Sequence, residues 1–188
     1  MKISSKKIAL YGVLSALMFL FLLVETYVLT AFLGAFTPAV LTLPLAVAIS
    51  IHNGKHGMWV GGTIFGFCSF FLAVIISNPV FINPLISILP RVFIGVVAYL
   101  VYSLTKLLFK KSKKGFLNQT LPLGLSGAFG ILTNTVCTIF MMFLFKATGI
   151  EAVLATVMSI NFVAEIIGAV ILVPIYVKVF RRIDSAKK

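Results

Sequence analysis

The sequence predicts an all-α integral membrane protein, a single bundle of six transmembrane helices with the N and C termini cytoplasmic. Three observations carry that reading. Hydrophobic residues make up 61% of the 188 and charged residues 11%, with a mean hydropathy of +1.15, whereas soluble domains are about 45–50% apolar. The apolar residues fall in runs near the roughly 20 residues that a helix needs to cross a hydrocarbon core. The basic residues responsible for the net charge of +12 stand beside those runs rather than inside them. In a soluble protein such a charge would suggest nucleic acid, but lysines and arginines flanking apolar spans are what fixes topology, so no nucleic-acid partner is expected.

Residues 1–188 read as one membrane domain, since spans this closely spaced leave no room for another. Helices are expected over about 7–29, 35–51, 57–77, 85–109, 119–145 and 152–180. The first follows the basic stretch Met1 to Lys7 and shows no small-x-small cleavage site, so it is retained as a span rather than removed as a signal peptide. Ser5, Ala9, Gly12 and Ala16 recur on one face of it, and small faces let a second membrane helix approach closely. Packing within the bundle and docking of a partner subunit explain that face equally well.

The loop Thr30 to Thr37 is uncharged, and the second helix is short for a span, which implies a short or tilted element. The Asn53-Gly54 pair inside His52 to Gly57 reads as a turn. His52 and His56 stand four residues apart with no carboxylate nearby, so a solvated turn is the expectation and no metal is assigned. Gly57, Gly61, Gly62 and Gly66 crowd the start of the third helix, which is therefore packed tightly or locally broken. Cys68 and Cys137 lie in apolar runs and read as buried free thiols.

The fourth helix begins with Asn83-Pro84-Leu85-Ile86-Ser87-Ile88-Leu89-Pro90-Arg91. A proline early in a helix is tolerated because that amide has no intrahelical partner. Arg91 is the foremost candidate for function, since a charge inside a lipid-facing segment is costly and normally faces protein or a water-filled site. The fifth and sixth helices carry stripes of small and polar residues, with Asn134 and Thr138 on one and Asn161 and Glu165 on the other. Each could serve interhelical bonding alone. Together with Arg91 they describe a pocket with one cation and several amide groups, suited to a small anionic solute, unless Glu165 neutralises Arg91.

Six helices place the basic residues of 1–7, 52–57, 106–118 and 178–188 on one side and Lys146 on the other, so the first side is cytoplasmic. The four carboxylates, Glu25, Glu151, Glu165 and Asp184, share no acid-base geometry, and no phosphate-binding glycine loop exists. No catalytic residues are assigned and the chain is not expected to be an enzyme.

On these residues the whole chain resembles the substrate-binding S components of energy-coupling factor (ECF) transporters. The likeness rests on length, six helices, basic ends, the small face of the first helix, the string Asn83 to Arg91, and Ile160-Asn161-Phe162-Val163-Ala164-Glu165. It implies a multi-pass cell-membrane protein that binds a vitamin, pairs with a transmembrane scaffold subunit and two cytoplasmic ATPase subunits, and binds no cofactor of its own, ATP being hydrolysed by those partners. Ala9, Gly12 and Ala16 would then meet the scaffold, where the family has an alanine-xxx-alanine face. The loop 30–37 would help to close the outer site. The start of the fourth helix is most similar to pantothenate S components, which implies substrate contacts from Arg91, Asn83, Asn134, Asn161, Glu165 and Thr138. The alternatives are an S component for folate or riboflavin, or a stand-alone ion-coupled carrier or channel.

Overall fold

The computed structural model describes residues 5–33, 39–110, 116–147, 151 and 160–185. Over these residues the protein is all helical: α1 (Ser5–Leu23), continued by a π-helical turn (Val24–Leu29) and α2 (Thr30–Leu33), then α3 (Thr42–His52), α4 (Gly54–Ile75), α5 (Pro84–Ser87), α6 (Leu89–Leu108), a second π-helical turn (Phe116–Thr120) leading into α7 (Leu121–Leu144), and α8 (Ile160–Ser185). Five helical stretches are long and apolar enough to cross a membrane, namely Ile8–Leu29, Gly54–Ile75, Pro84–Leu108, Asn118–Leu144 and Asn161–Ser185. The protein is a membrane protein.

The second expected helix, 35–51, appears as the 11-residue α3. Its rise of roughly 16 Å reaches about half the depth of a bilayer core. Every residue from Thr42 to Ile51 is buried, so this helix is apolar all round because it is surrounded by protein rather than because it faces lipid. Glycines on its neighbours make that enclosure possible. A Cβ at Gly61 would stand 2.1 Å from the Ala46 carbonyl oxygen, and one at Gly95 would stand 2.5 Å from the Ser50 hydroxyl. The glycine-rich start of α4 is therefore tightly packed and unbroken, the first of the two expectations.

Several boundaries differ from the sequence reading. The turn expected over 52–57 contracts to Asn53, whose side-chain amide donates to the Ile49 carbonyl at 3.0 Å. Gly54 takes φ +65°, and that single left-handed residue reverses the chain into α4. The sixth helix runs beyond 180 to Ser185 because its polar end is anchored, His52 Nε2 lying 2.9 Å from Asp184 Oδ2. The loop expected over 30–37 is helical for its first four residues. Residues 34–38, 111–115 and 152–159, which hold the rest of that loop, most of the basic run after the fourth helix and the expected start of the sixth, lie outside the described residues.

Contacts group the helix ends. Leu10 and Leu14 of α1 line a small cavity with His52, Phe180 and Asp184, and Arg181 donates to the Tyr102 hydroxyl at 3.0 Å. The N-terminal part of α1, the α3–α4 turn, the C-terminal end of α6 and the C-terminal end of α8 thus share one end of the bundle. Asn83, α5 and the start of α6 stand at the other.

Candidate functional site

Arg91 is delivered by two short helical starts in series. The Asn83 side chain accepts from the Leu85 N–H at 3.0 Å, capping α5 at Pro84. Ile88, still right-handed helical, joins α5 to α6, which carries Pro90 in its first turn. Arg91 follows, 7% exposed. Its Nη1 donates to the Ile86 carbonyl at 2.9 Å and to the Thr138 hydroxyl on α7 at 3.2 Å. The guanidinium lies 5.1 Å from the Phe81 ring centre and 5.9 Å from that of Phe65, the geometry of cation–π attraction.

None of these partners carries a charge. Among the described residues, which include all four carboxylates, no acid lies within ion-pair distance of Arg91. Its buried Nε has no hydrogen-bond partner. A buried cation held by neutral acceptors and ring faces lacks the counter-charge that would offset its desolvation.

One turn before Thr138 on α7, the Asn134 Oδ1 is likewise buried without a partner. An acceptor without a donor and a donor without an acceptor therefore stand in the same region of the bundle, Asn134 being one helical turn from the Thr138 that receives Arg91. Asn161, at the start of α8, is also buried. Asn83 lines a cleft of about 210 Å³ with Pro79, Val80, Ile86, Phe145 and Ala147. The Ile86 whose carbonyl receives Arg91 is on that cleft wall, which places the guanidinium just beneath it.

Glu165 does not neutralise Arg91 by a direct pair. Its Oε1 accepts from the Ala39 N–H at 3.0 Å. Glu25, to which the sequence reading assigns no role, accepts from the Leu41 N–H at 2.5 Å and the Thr42 N–H at 3.1 Å, and it also receives the Thr42 hydroxyl. Two carboxylates from α8 and from the π-helical turn after α1 thus converge on the N-terminal end of the buried α3, where backbone donors and the helix dipole favour negative charge. Glu165 is still in electrostatic range of both Glu25 and Arg91.

The arrangement thus brings Arg91 and Thr138 into contact, puts Asn134 one turn away, and gives Asn83 and Glu165 local capping roles. It adds Phe65, Phe81 and Glu25. Glu25 had a signal in the sequence, since the rule that singled out Arg91 applies to any charge within a span. The aromatic pair had none, because Phe65 and Phe81 are two of 18 phenylalanines.

On α1, Ala9, Gly12 and Ala16 are all exposed, and a Cβ at Gly12 would meet nothing within 4 Å. Among the described residues nothing packs against Gly12, and Ala16 borders an open groove between α1 and α4. His52 is taken by Asp184, and no group of three metal-ligating side chains occurs among the described residues.

No protein-family model matches the chain. It is 24% identical over 192 residues to the pantothenic acid transporter PanT of Lactococcus lactis subsp. cremoris (strain MG1363), covering 91% of each chain.

Proposed function

We propose that this chain is the solute-binding S component of an ATP-driven vitamin uptake transporter of the ECF type, and that its solute is pantothenate. The observation that carries the reading is Arg91, a buried cation without a carboxylate partner, under a cleft at the end of the bundle opposite the basic helix ends. End-to-end similarity to a pantothenic acid transporter supports the same solute. Pantothenate offers one carboxylate, one amide and two hydroxyls. Arg91 takes the carboxylate, with Thr138 fixing the guanidinium. Asn134 Oδ1 accepts from a hydroxyl or the amide N–H, Asn161 adds a second amide, Asn83 borders the access cleft, and Glu165 holds the α3 start beside the site.

By the positive-inside rule the basic ends, and with them both termini, face the cytoplasm, so the Arg91 end opens outward across the cell membrane. The chain carries no phosphate-binding loop, and energy comes from ATP hydrolysed by two partner subunits through a membrane scaffold. The open small face at Ala9, Gly12 and Ala16 is where that scaffold docks.

Tagged protein purified from its native membrane in mild detergent tests the reading. Native mass spectrometry is expected to find pantothenate on the chain, and the preparation to contain a scaffold and ATPase subunits. A homo-oligomer of this chain alone, free of ATPases and of any retained carboxylate, would refute it.

A further inference from the structure

We propose that Tyr102, Lys106 and Arg181 form a binding site for the phosphate of an anionic phospholipid, at the end of the bundle that carries the basic helix ends. Arg181 Nη2 on α8 donates to the Tyr102 hydroxyl on α6 at 3.0 Å, and Lys106 Nζ reaches the same oxygen at 3.4 Å. Lys106 also lies 5.5 Å from the Tyr102 ring centre. Two cations from different helices are thus drawn to one neutral oxygen. Their mutual repulsion is unfavourable, and among the described residues no acid pairs with either, Asp184 being engaged by His52.

A phenol oxygen that accepts from both neighbours still carries its own proton. Three donor groups therefore converge, with two positive charges and no acceptor left over. A phosphate monoanion supplies what this cluster lacks: oxygens for each donor and a negative charge shared between the two cations.

The surroundings favour a lipid over a free ion. Leu104, Leu107 and Leu108 on α6 are 60%, 68% and 70% exposed, and Val179 and Ile183 on α8 are exposed as well. These residues lie on other, exposed faces of the same two helices, and they put the cluster at the level where the apolar span ends and lipid headgroups begin. Basic pockets between membrane helices are recognised headgroup sites.

The test is native mass spectrometry of the full chain in detergent, titrated with phosphatidylglycerol, phosphatidylcholine or inorganic phosphate. Wild type is expected to retain phosphatidylglycerol in preference to phosphatidylcholine and to ignore inorganic phosphate. Each basic residue near an anionic lipid is worth about fivefold in affinity, so Lys106→Gln with Arg181→Gln is expected to weaken retention on the order of 25-fold. The charge-matched pair Lys110→Gln with Arg182→Gln should leave most of it. Equal retention of the two lipids, equal losses in both double variants, or displacement by inorganic phosphate at comparable concentration would overturn the proposal. The outcome is independent of whether pantothenate is bound.

Discussion

Gly62 and Arg91 meet backbone to backbone: a Cβ on Gly62 would stand 2.1 Å from the Arg91 carbonyl oxygen and 3.1 Å from the Cα of Val92. The charge is therefore positioned by a crossing of α4 and α6 that only a glycine permits. Gly62→Ala must force the helices apart, at a cost of about 1–3 kcal/mol for overpacking. The variant is expected to melt at a lower temperature in detergent and to lose affinity for pantothenate. Gly12→Ala, which adds its methyl to open space, is expected to change neither, and paired thermal melts and titrations check both.

Thr138→Val keeps the side-chain volume and removes the hydroxyl that receives Arg91 Nη1. A hydrogen bond to a charged group contributes about 1.5–3 kcal/mol. With the guanidinium still held by Ile86 and the two rings, a loss of roughly tenfold in solute affinity is expected with little change in melting temperature. Calorimetric titration reads the affinity and a melt reads the fold.

Glu25 should prove structural. It closes three donors at the start of a buried helix, and losing a cap costs about 0.5–2 kcal/mol, with the buried donors left open adding to that. Glu25→Ala is expected to lower the melting temperature more than Glu165→Ala, which frees a single backbone donor. Scanning fluorimetry of the two variants side by side checks the order.

Gly12→Trp and Ala16→Trp are expected to spare solute binding and stop uptake. Both positions are exposed on α1 and lie outside the core, so bulk there is expected to obstruct a partner and leave the Arg91 site intact. Binding to purified protein, measured beside uptake of labelled pantothenate by cells, separates the two effects. Uptake at the wild-type rate would show that the small face has another use.

What could be read from the sequence follows from how local each signal is. Spans come from apolar runs, and Arg91 stands out because a charge in such a run is rare and costly. The short second helix was also legible, since the apolar segment that His52 ends is shorter than the roughly 20 residues of a span. Its full burial was not, because enclosure depends on Gly61, Gly95 and Gly130 of three other helices. Glu165 shows the opposite limit. Its place on one face with Asn161 suggested solute contact, while the N–H that it receives comes from Ala39, 126 residues away, and no periodicity within α8 reveals that.

The measurement that bears most directly on the central claim is calorimetric titration of pantothenate into the purified chain, wild type against Arg91→Gln, with the alcohol analogue that lacks the carboxylate as a second ligand. Saturable binding by wild type is expected, weakened about 30-fold or more by the substitution, which removes one side of a buried charge pair. The analogue should bind weakly to both proteins alike. Pantothenate affinity unchanged in Arg91→Gln, in a variant that melts like wild type, would contradict the account.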